Sequence, residues 1–304
     1  MLVALTHVHV HTSALVVTLS TPPLAMNSTG NCALGAAACS GSLEIVERMV
    51  AAGTDLESVN GIGTTPLWLA AGYGHMQILE LLIASGANVN TPNNNKDSPM
   101  LAACSRGHKD VVARLVAAGA NVNQANVGGD TPLLTTVCGG HDSLVEMLVT
   151  SGADVGHRNK KGVFPLSTAA SQGSCAAVQA LIDAGADITQ RDSNGARALA
   201  VAAFCGNTDI VKILLAASGA TGGGGIDHRD TSGATALWLA ASSGREETLR
   251  LLLDAGADGT AATNDGVTAL SAAENNKHHA CSRLLGGSGV EELANEVTEE
   301  TTQD

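Results

Sequence analysis

Large rings are almost missing from this chain: two Trp, one Tyr and two Phe stand among 304 residues. Aromatic side chains bury the most area per residue, so a core built without them has to be filled by small aliphatic groups packed at short range. Basic residues are scarce as well, 16 against 29 acids, for a formal charge of −13. Glu291, Glu292, Glu296, Glu299, Glu300 and Asp304 follow Gly289 with no Lys or Arg among them, yet the remainder is still net negative. Such a surface repels phosphate backbones, and nucleic acid is not an expected partner. No apolar run reaches the ~18 residues that span a bilayer. The seven cysteines, at positions 32, 39, 104, 138, 175, 205 and 281, include no C-x-x-C pair. An odd, scattered set fits reduced thiols in the cytoplasm or nucleus better than a disulfide framework.

Catalytic motifs are missing too. Neither G-x-S-x-G nor H-E-x-x-H occurs, and the run Gly222 to Gly225 is followed by no Lys-Ser or Lys-Thr and preceded by no strand, so it is not a phosphate loop. It is expected to lengthen a surface loop. No cofactor or metal is expected, and the chain is expected not to be an enzyme. What the sequence does have is 44% apolar residues and only 15% charged ones, enough to build a core and too little charge for general disorder.

The dominant feature is a repeat. Thr65-Pro66, Ser98-Pro99, Thr131-Pro132 and Phe164-Pro165 succeed one another every 33 residues. Cys32-Ala33 lies one period earlier, Arg197-Ala198 one later, and Thr235-Ala236 and Thr268-Ala269 follow after 38 and 33 residues. A second landmark keeps step from Gly53-Thr54 through Gly86-Ala87, Gly119-Ala120, Gly152-Ala153 and Gly185-Ala186 to Gly219-Ala220 and Gly256-Ala257. Both report a five-residue insertion near 218–225.

Each unit reads as a helical hairpin. In the second, Thr65 caps and Pro66 opens a short inner helix rich in Ala, Gly74 ends it, and an outer helix starts near His75. Ile78, Leu79, Leu82 and Ile83 make one apolar stripe, and Gly86 is placed as a left-handed cap. The stripe returns at Ile45, Val46, Met49 and Val50, at Val111, Val112, Leu115 and Val116, and at Ile210, Val211, Leu214 and Leu215. One hairpin leaves its apolar face uncovered, so the units have to stack. The expected fold is an all-α solenoid of about eight stacked helix-turn-helix units joined by β-turn or hairpin loops.

The stretch Thr65-Pro66-Leu67-Trp68-Leu69-Ala70-Ala71-Gly72-Tyr73-Gly74-His75, closing on Gly86-Ala87-Asn88-Val89-Asn90, resembles the signature of the ankyrin repeats, with Trp in place of the usual His. The resemblance covers residues 28–287; unit four departs from it at Leu134-Thr135-Thr136-Val137 and unit six at Arg197. It implies a non-catalytic, monomeric scaffold or adaptor that binds a partner protein on a concave face made by turn tips and inner helices. The alternative it leaves open is a targeting or substrate-recognition module of a larger enzyme or signalling complex. Residues placed by position on the expected face are Tyr73, Asn95, Asp97, Arg106, Asp130, Lys160, Lys161, Gln172 and Phe204. Asn90 and Asn123 each follow a leucine by eight residues, which resembles asparagine hydroxylation sites in this family.

Three further features have structural readings. Trp68 and Trp238 hold the same place five repeats apart, roughly 50 Å at ~10 Å per stacked hairpin, and cannot share a ligand. His75, His108 and His141 recur too far apart for one metal and are expected to bond orphan backbone groups at the turns. Residues 1–27 read as a disordered leader or as sequence upstream of a start at Met26, since His7, His9 and His11 interrupt the apolar stretch and no cationic n-region precedes it. The acidic segment 288–304 is expected to be mostly solvated.

Overall fold

A computed structural model describes residues 33–221 and 225–286. The leader and the acidic segment lie outside the described residues, as do Gly222, Gly223 and Gly224. Helices come in pairs along the chain: α1 (Ala33–Ser40) with α2 (Leu43–Ala51), α3 (Pro66–Tyr73) with α4 (Met76–Ala84), α5 (Pro99–Ser105) with α6 (Lys109–Ala117), and α7 (Pro132–Cys138) with α8 (Asp142–Thr150). Then follow α9 (Pro165–Gln172) with α10 (Cys175–Asp183), α11 (Ala198–Cys205) with α12 (Thr208–Thr221), α13 (Ala236–Ser242) with α14 (Glu246–Asp254), and α15 (Ala269–Asn275) with α16 (His279–Leu284). Among the described residues there is no strand, only an isolated bridge between Ala262 and Thr268.

The chain divides into two compact units, residues up to 168 with 183–185, and 169–182 with 186 onward. In the first, α1, α3, α5 and α7 stack in sequence on one side and α2, α4, α6 and α8 on the other. In the second, α11, α13 and α15 stack in the same way, as do α12, α14 and α16.

Local chemistry sets each helix. Thr65 Oγ1 accepts the Trp68 N–H at 3.1 Å, and Ser98, Thr131, Thr235 and Thr268 do the same at the equivalent place in their units. Such a side-chain acceptor satisfies one of the donors that a helix start leaves open. Phe164 stands where those hydroxyls stand and is fully buried, the largest side chain to be so. Arg197 caps its helix with no side-chain bond. At the other end of the hairpin Gly86 takes φ +93, which lets its N–H reach Ile83 O and the Ala87 N–H reach Leu82 O, both at 3.0 Å. This double bond pattern is the Schellman closure, open to glycine because it lacks the Cβ that a left-handed backbone crowds.

Inner helices are buried almost all round; every residue from Pro66 to Gly72 is covered. Ala70, Ala71 and Ala103 let neighbouring helices approach closely, which is how the core does without rings. Outer helices bury one stripe: Ile78, Leu79 and Leu82 in α4, Val111, Val112 and Leu115 in α6, Leu144, Val145 and Leu148 in α8. Each such residue stabilises the stack by about 1.5–3 kcal/mol. The fourth residue of the expected stripe, such as Ile83 or Val116, is only half-buried. In α2 the stripe narrows further, with Val46 buried and Ile45 52% exposed, because among the described residues no hairpin precedes α2 to cover it.

The insertion does not form a loop at 218–221. Helix α12 runs 14 residues to Thr221, against nine in α4, α6, α8, α10 and α14. Counted from Ile210, the place of Gly86 falls on Ser218, and Gly219 comes one residue late. A serine resists the left-handed turn, its hydroxyl instead donates to Leu214 O at 3.0 Å, and the helix continues through Gly219, which takes no positive φ.

Candidate functional site

The loops that lead into inner helices are built around one side-chain acceptor. Asn93 Oδ1 accepts the backbone N–H groups of Asn95 (2.9 Å) and Asp97 (2.8 Å), folding a tight turn. Asn60, Asn159, Asp192 and Asp230 fold theirs identically. The tips are then bonded backbone to backbone: in the first unit Asn94 N–H donates to Ile62 O (3.1 Å), Val127 to Asn95 O (2.9 Å) and Lys160 to Gly128 O (3.0 Å). In the second, Thr231 donates to Asn194 O and Asn264 to Ser232 O, both at 2.9 Å. A tip fixed at its base and to its neighbour holds in place the backbone from which its outward side chains project.

Against this frame the sequence-derived residues separate. Asn95, Lys160 and Lys161 sit on exposed tips of the first unit, and neither lysine enters an ion pair among the described residues. Asp97, expected on the surface, is only 4% exposed. Its carboxylate accepts Asn93 Nδ2 at 3.2 Å and Asn126 Nδ2 of the next tip at 3.0 Å, so it fastens two turns together instead of facing solvent. Asp130 repeats that role half-buried, accepting Asn159 Nδ2 at 2.8 Å.

Tyr73 and Arg106 are brought together across adjacent inner-helix ends. The guanidinium carbon lies 4.5 Å from the centre of the Tyr73 ring, while Nη1 donates to Gly72 O at 2.9 Å. Tyr73 also stacks on His75, with centroids 6.2 Å apart. Burial raises the tyrosine pKa, and contact with Cys39 adds to it. The cation over the ring is a preformed, half-buried pair of the kind that anchors partners. Gln172, exposed at the end of α9, and Phe204, half-buried near the end of α11, belong to the second unit.

The recurrent histidines tie hairpins together. His75 Nε2 bonds Cys39 O (3.0 Å), His108 Gly72 O (3.1 Å) and His141 Ser105 O (3.2 Å). A carbonyl only accepts, so each ring carries its proton on Nε2. Burial lowers the pKa of His108 below the ordinary histidine value; the bond to Gly72 opposes this and the Arg106 cation adds to it. Asn207 and Arg245 fill the same place in the second unit, donating to Ala170 O (2.7 Å) and Phe204 O (3.1 Å). Trp68 and Trp238 are buried, and their indole N–H groups donate to Asp97 O (2.9 Å) and Val267 O (3.1 Å). Asn90 and Asn123 bridge outer loops, each accepting a backbone N–H 31 residues on, from Asn121 at 2.7 Å and Asp154 at 2.8 Å.

Sequence reasoning passed over Ile62 and Val127, which are 54% and 48% exposed on the tips. Their signal was legible: both stand among glycines in a turn, Gly61-Ile62-Gly63 and Val127-Gly128-Gly129, where no helical stripe asks for an apolar residue. Lys96 was passed over too. It holds φ +62 at a place where Gly63, Gly129, Gly162, Gly195, Gly233 and Gly266 stand in the other turns.

Among the described residues no three His, Cys, Asp or Glu side chains gather as metal ligands do, and no helix is long and apolar enough to cross a membrane. What the surface offers is a fixed row of exposed apolar, amide and cationic groups. A family model for ankyrin repeats (3 copies) matches residues 10–93, 34–126, 75–159, 133–222 and 220–295. No curated protein matches the chain.

Proposed function

The chain belongs to the ankyrin repeat family, whose members are in general protein-interaction modules, and from that premise we propose that it is a non-catalytic scaffold or adaptor that engages a partner protein through turn tips and inner-helix ends. The observation that supports this most is the row of tips in the first unit, bonded backbone to backbone, with Ile62, Asn95, Val127, Lys160 and Lys161 turned to solvent. A backbone already held in place loses little freedom when a partner arrives, so more of the contact energy appears as affinity. The Tyr73–Arg106 pair supplies an anchor of the residue types that dominate such surfaces. Scattered cysteines without a C-x-x-C pair support a reducing compartment such as the cytoplasm.

The test is retention of a partner from the source cell by the full chain and by three variants: Tyr73→Ala, Arg106→Ala, and Lys160→Ala with Lys161→Ala. Each is expected to weaken retention by about tenfold, the scale of one anchor residue, with far-UV circular dichroism unchanged and the melting temperature little lowered. Equal retention by all three, or loss that merely tracks unfolding, would refute the assignment of this face.

A further inference from the structure

Acids and cations are unevenly placed in the first unit. Glu44, Glu47, Glu80, Asp110, Asp142 and Glu146 lie on the outer helices, where Arg48, Lys109 and Arg114 offset only half of them, and Asp55, Glu57 and Asp154 lie in the loops that leave these helices. The tips carry Lys96, Arg158, Lys160 and Lys161, all exposed, and their only acids, Asp97 and Asp130, are committed to asparagine amides of neighbouring turns. Within a chain of net charge −13, the tips of the first unit thus carry a cationic row. Lys96 adds a second observation, because a left-handed lysine costs about 1–2 kcal/mol where glycine would cost nothing. Strain of this kind tends to be kept where a side chain has a task.

We propose that the tip row of the first unit is a docking strip for an extended acidic segment of a partner protein, in which apolar and acidic side chains alternate about every three residues. The proposal rests on the scaffold reading above and names the chemistry of what binds. The register follows from spacing: stacked hairpins advance ~10 Å, and an extended peptide in the polyproline II conformation advances ~3.1 Å per residue with three residues per turn, so every third side chain returns to the face that meets the tips. The first tip offers Ile62, the second Lys96, the third Val127 and the fourth Arg158, Lys160 and Lys161. The complementary segment is apolar, acidic, apolar and then doubly acidic. A nucleic acid meets the cations but has nothing for Ile62 and Val127, and its many phosphates are repelled by the rest of the chain. A short peptide with few carboxylates escapes that repulsion.

The probe is the fluorescein-labelled peptide Leu-Gly-Ser-Glu-Gly-Ser-Leu-Gly-Ser-Glu-Glu and its reversed sequence, since the row fixes spacing and not direction. Each is titrated against the full chain by anisotropy at about 50 mM and 300 mM salt, which changes the screening of exposed charges. One direction is expected to bind at least ~10-fold tighter than a scrambled peptide of the same composition. Replacing its three Glu by Gln, or making Lys160→Glu with Lys161→Glu, should cost about tenfold, and the higher salt should weaken it. Ile62→Ser or Val127→Ser should cost about threefold, because a half-exposed methyl cluster buries modest area. All the variants alter exposed side chains, and a thermal melt confirms that each folds.

Binding no tighter than the scramble in both directions would overturn the proposal. So would a fifteen-nucleotide thymidine strand that binds as tightly and responds to the same variants. A cell-derived partner lost on Arg106→Ala but indifferent to the double lysine reversal would overturn the strip and leave the scaffold reading standing.

Discussion

Asp97→Ala separates two roles for one carboxylate. If the side chain is a fastener, removing it strips the acceptor from the buried Asn93 Nδ2 of its own turn (3.2 Å) and from the half-buried Asn126 Nδ2 of the next (3.0 Å). A hydrogen bond to a charged group contributes about 1.5–3 kcal/mol. The longer of the two falls at the low end, and the half-buried Asn126 amide recovers part of its loss from solvent, so the pair comes to about 3 kcal/mol. At 2–4 °C per kcal/mol for chains of this size, the melting temperature is expected to fall by roughly 6–12 °C. Asp130→Ala removes one bond at a half-exposed site and is expected to cost only about 1 kcal/mol, or 2–4 °C. Urea unfolding followed by far-UV circular dichroism gives the size of the loss. Hydrogen exchange at the Asn95 and Asp97 amides, both held by Asn93, gives its location. A melting temperature within about 1 °C of the parent chain, with partner binding lost, would refute the fastener and restore Asp97 to the contact surface.

Lys96→Gly relieves the left-handed strain of about 1–2 kcal/mol, less the ~0.5–1 kcal/mol that glycine's extra freedom adds to the unfolded state. A net gain of about 0.5–1 kcal/mol is expected, together with weaker binding of the acidic probe; a loss of stability would argue against the strain. Protonation of His108 and His228 is disfavoured in the folded chain, chiefly by burial. Their folded pKa values are depressed, so below the ordinary value of ~6.5 the unfolded state binds more protons, and stability is lost as pH falls from there through the folded values. The urea midpoint should therefore drop between about pH 7 and 5, and His108→Gln, which keeps a donor toward Gly72, should flatten the slope; a flat profile in the parent chain would refute this. Burial pushes the thiol of Cys104 up to about 12 and that of Cys138 to about 11, whereas Cys175 is exposed. Iodoacetamide near pH 8 should modify Cys175 first and Cys104 only once the chain unfolds, as mass spectrometry of a time course would report, and early labelling of Cys104 would count against its burial.

The hairpins were legible because each boundary rests on a residue with one local effect. Pro66, Pro99, Pro132 and Pro165 open their helices at those very positions, and Gly86 closes the hairpin as its lack of a Cβ allows. The insertion was legible in length but not in form, since one misplaced glycine at 219 decides whether a helix stops or runs on. The surface was harder to read. Asn95 and Asp97 are both polar turn residues two apart, and only the stacking of the next tip turns one outward and draws the other in. The row Asn60, Asn93, Asn126, Asn159, Asp192, Asp230 keeps the period of the repeat, and it would have identified the acceptor around which each turn folds.

The overlong α12 has a consequence for how such an array tolerates change. The helix packs on α11 and α14, and its buried residues Ile210, Val211 and Leu214 all lie in its first seven positions. A helix end clear of those buried positions is what a graft requires: a short foreign epitope joined on at Thr221 should leave the packed hairpins in step, whereas the same splice at a tip such as Asn95 would break a backbone rung and propagate to the next turn.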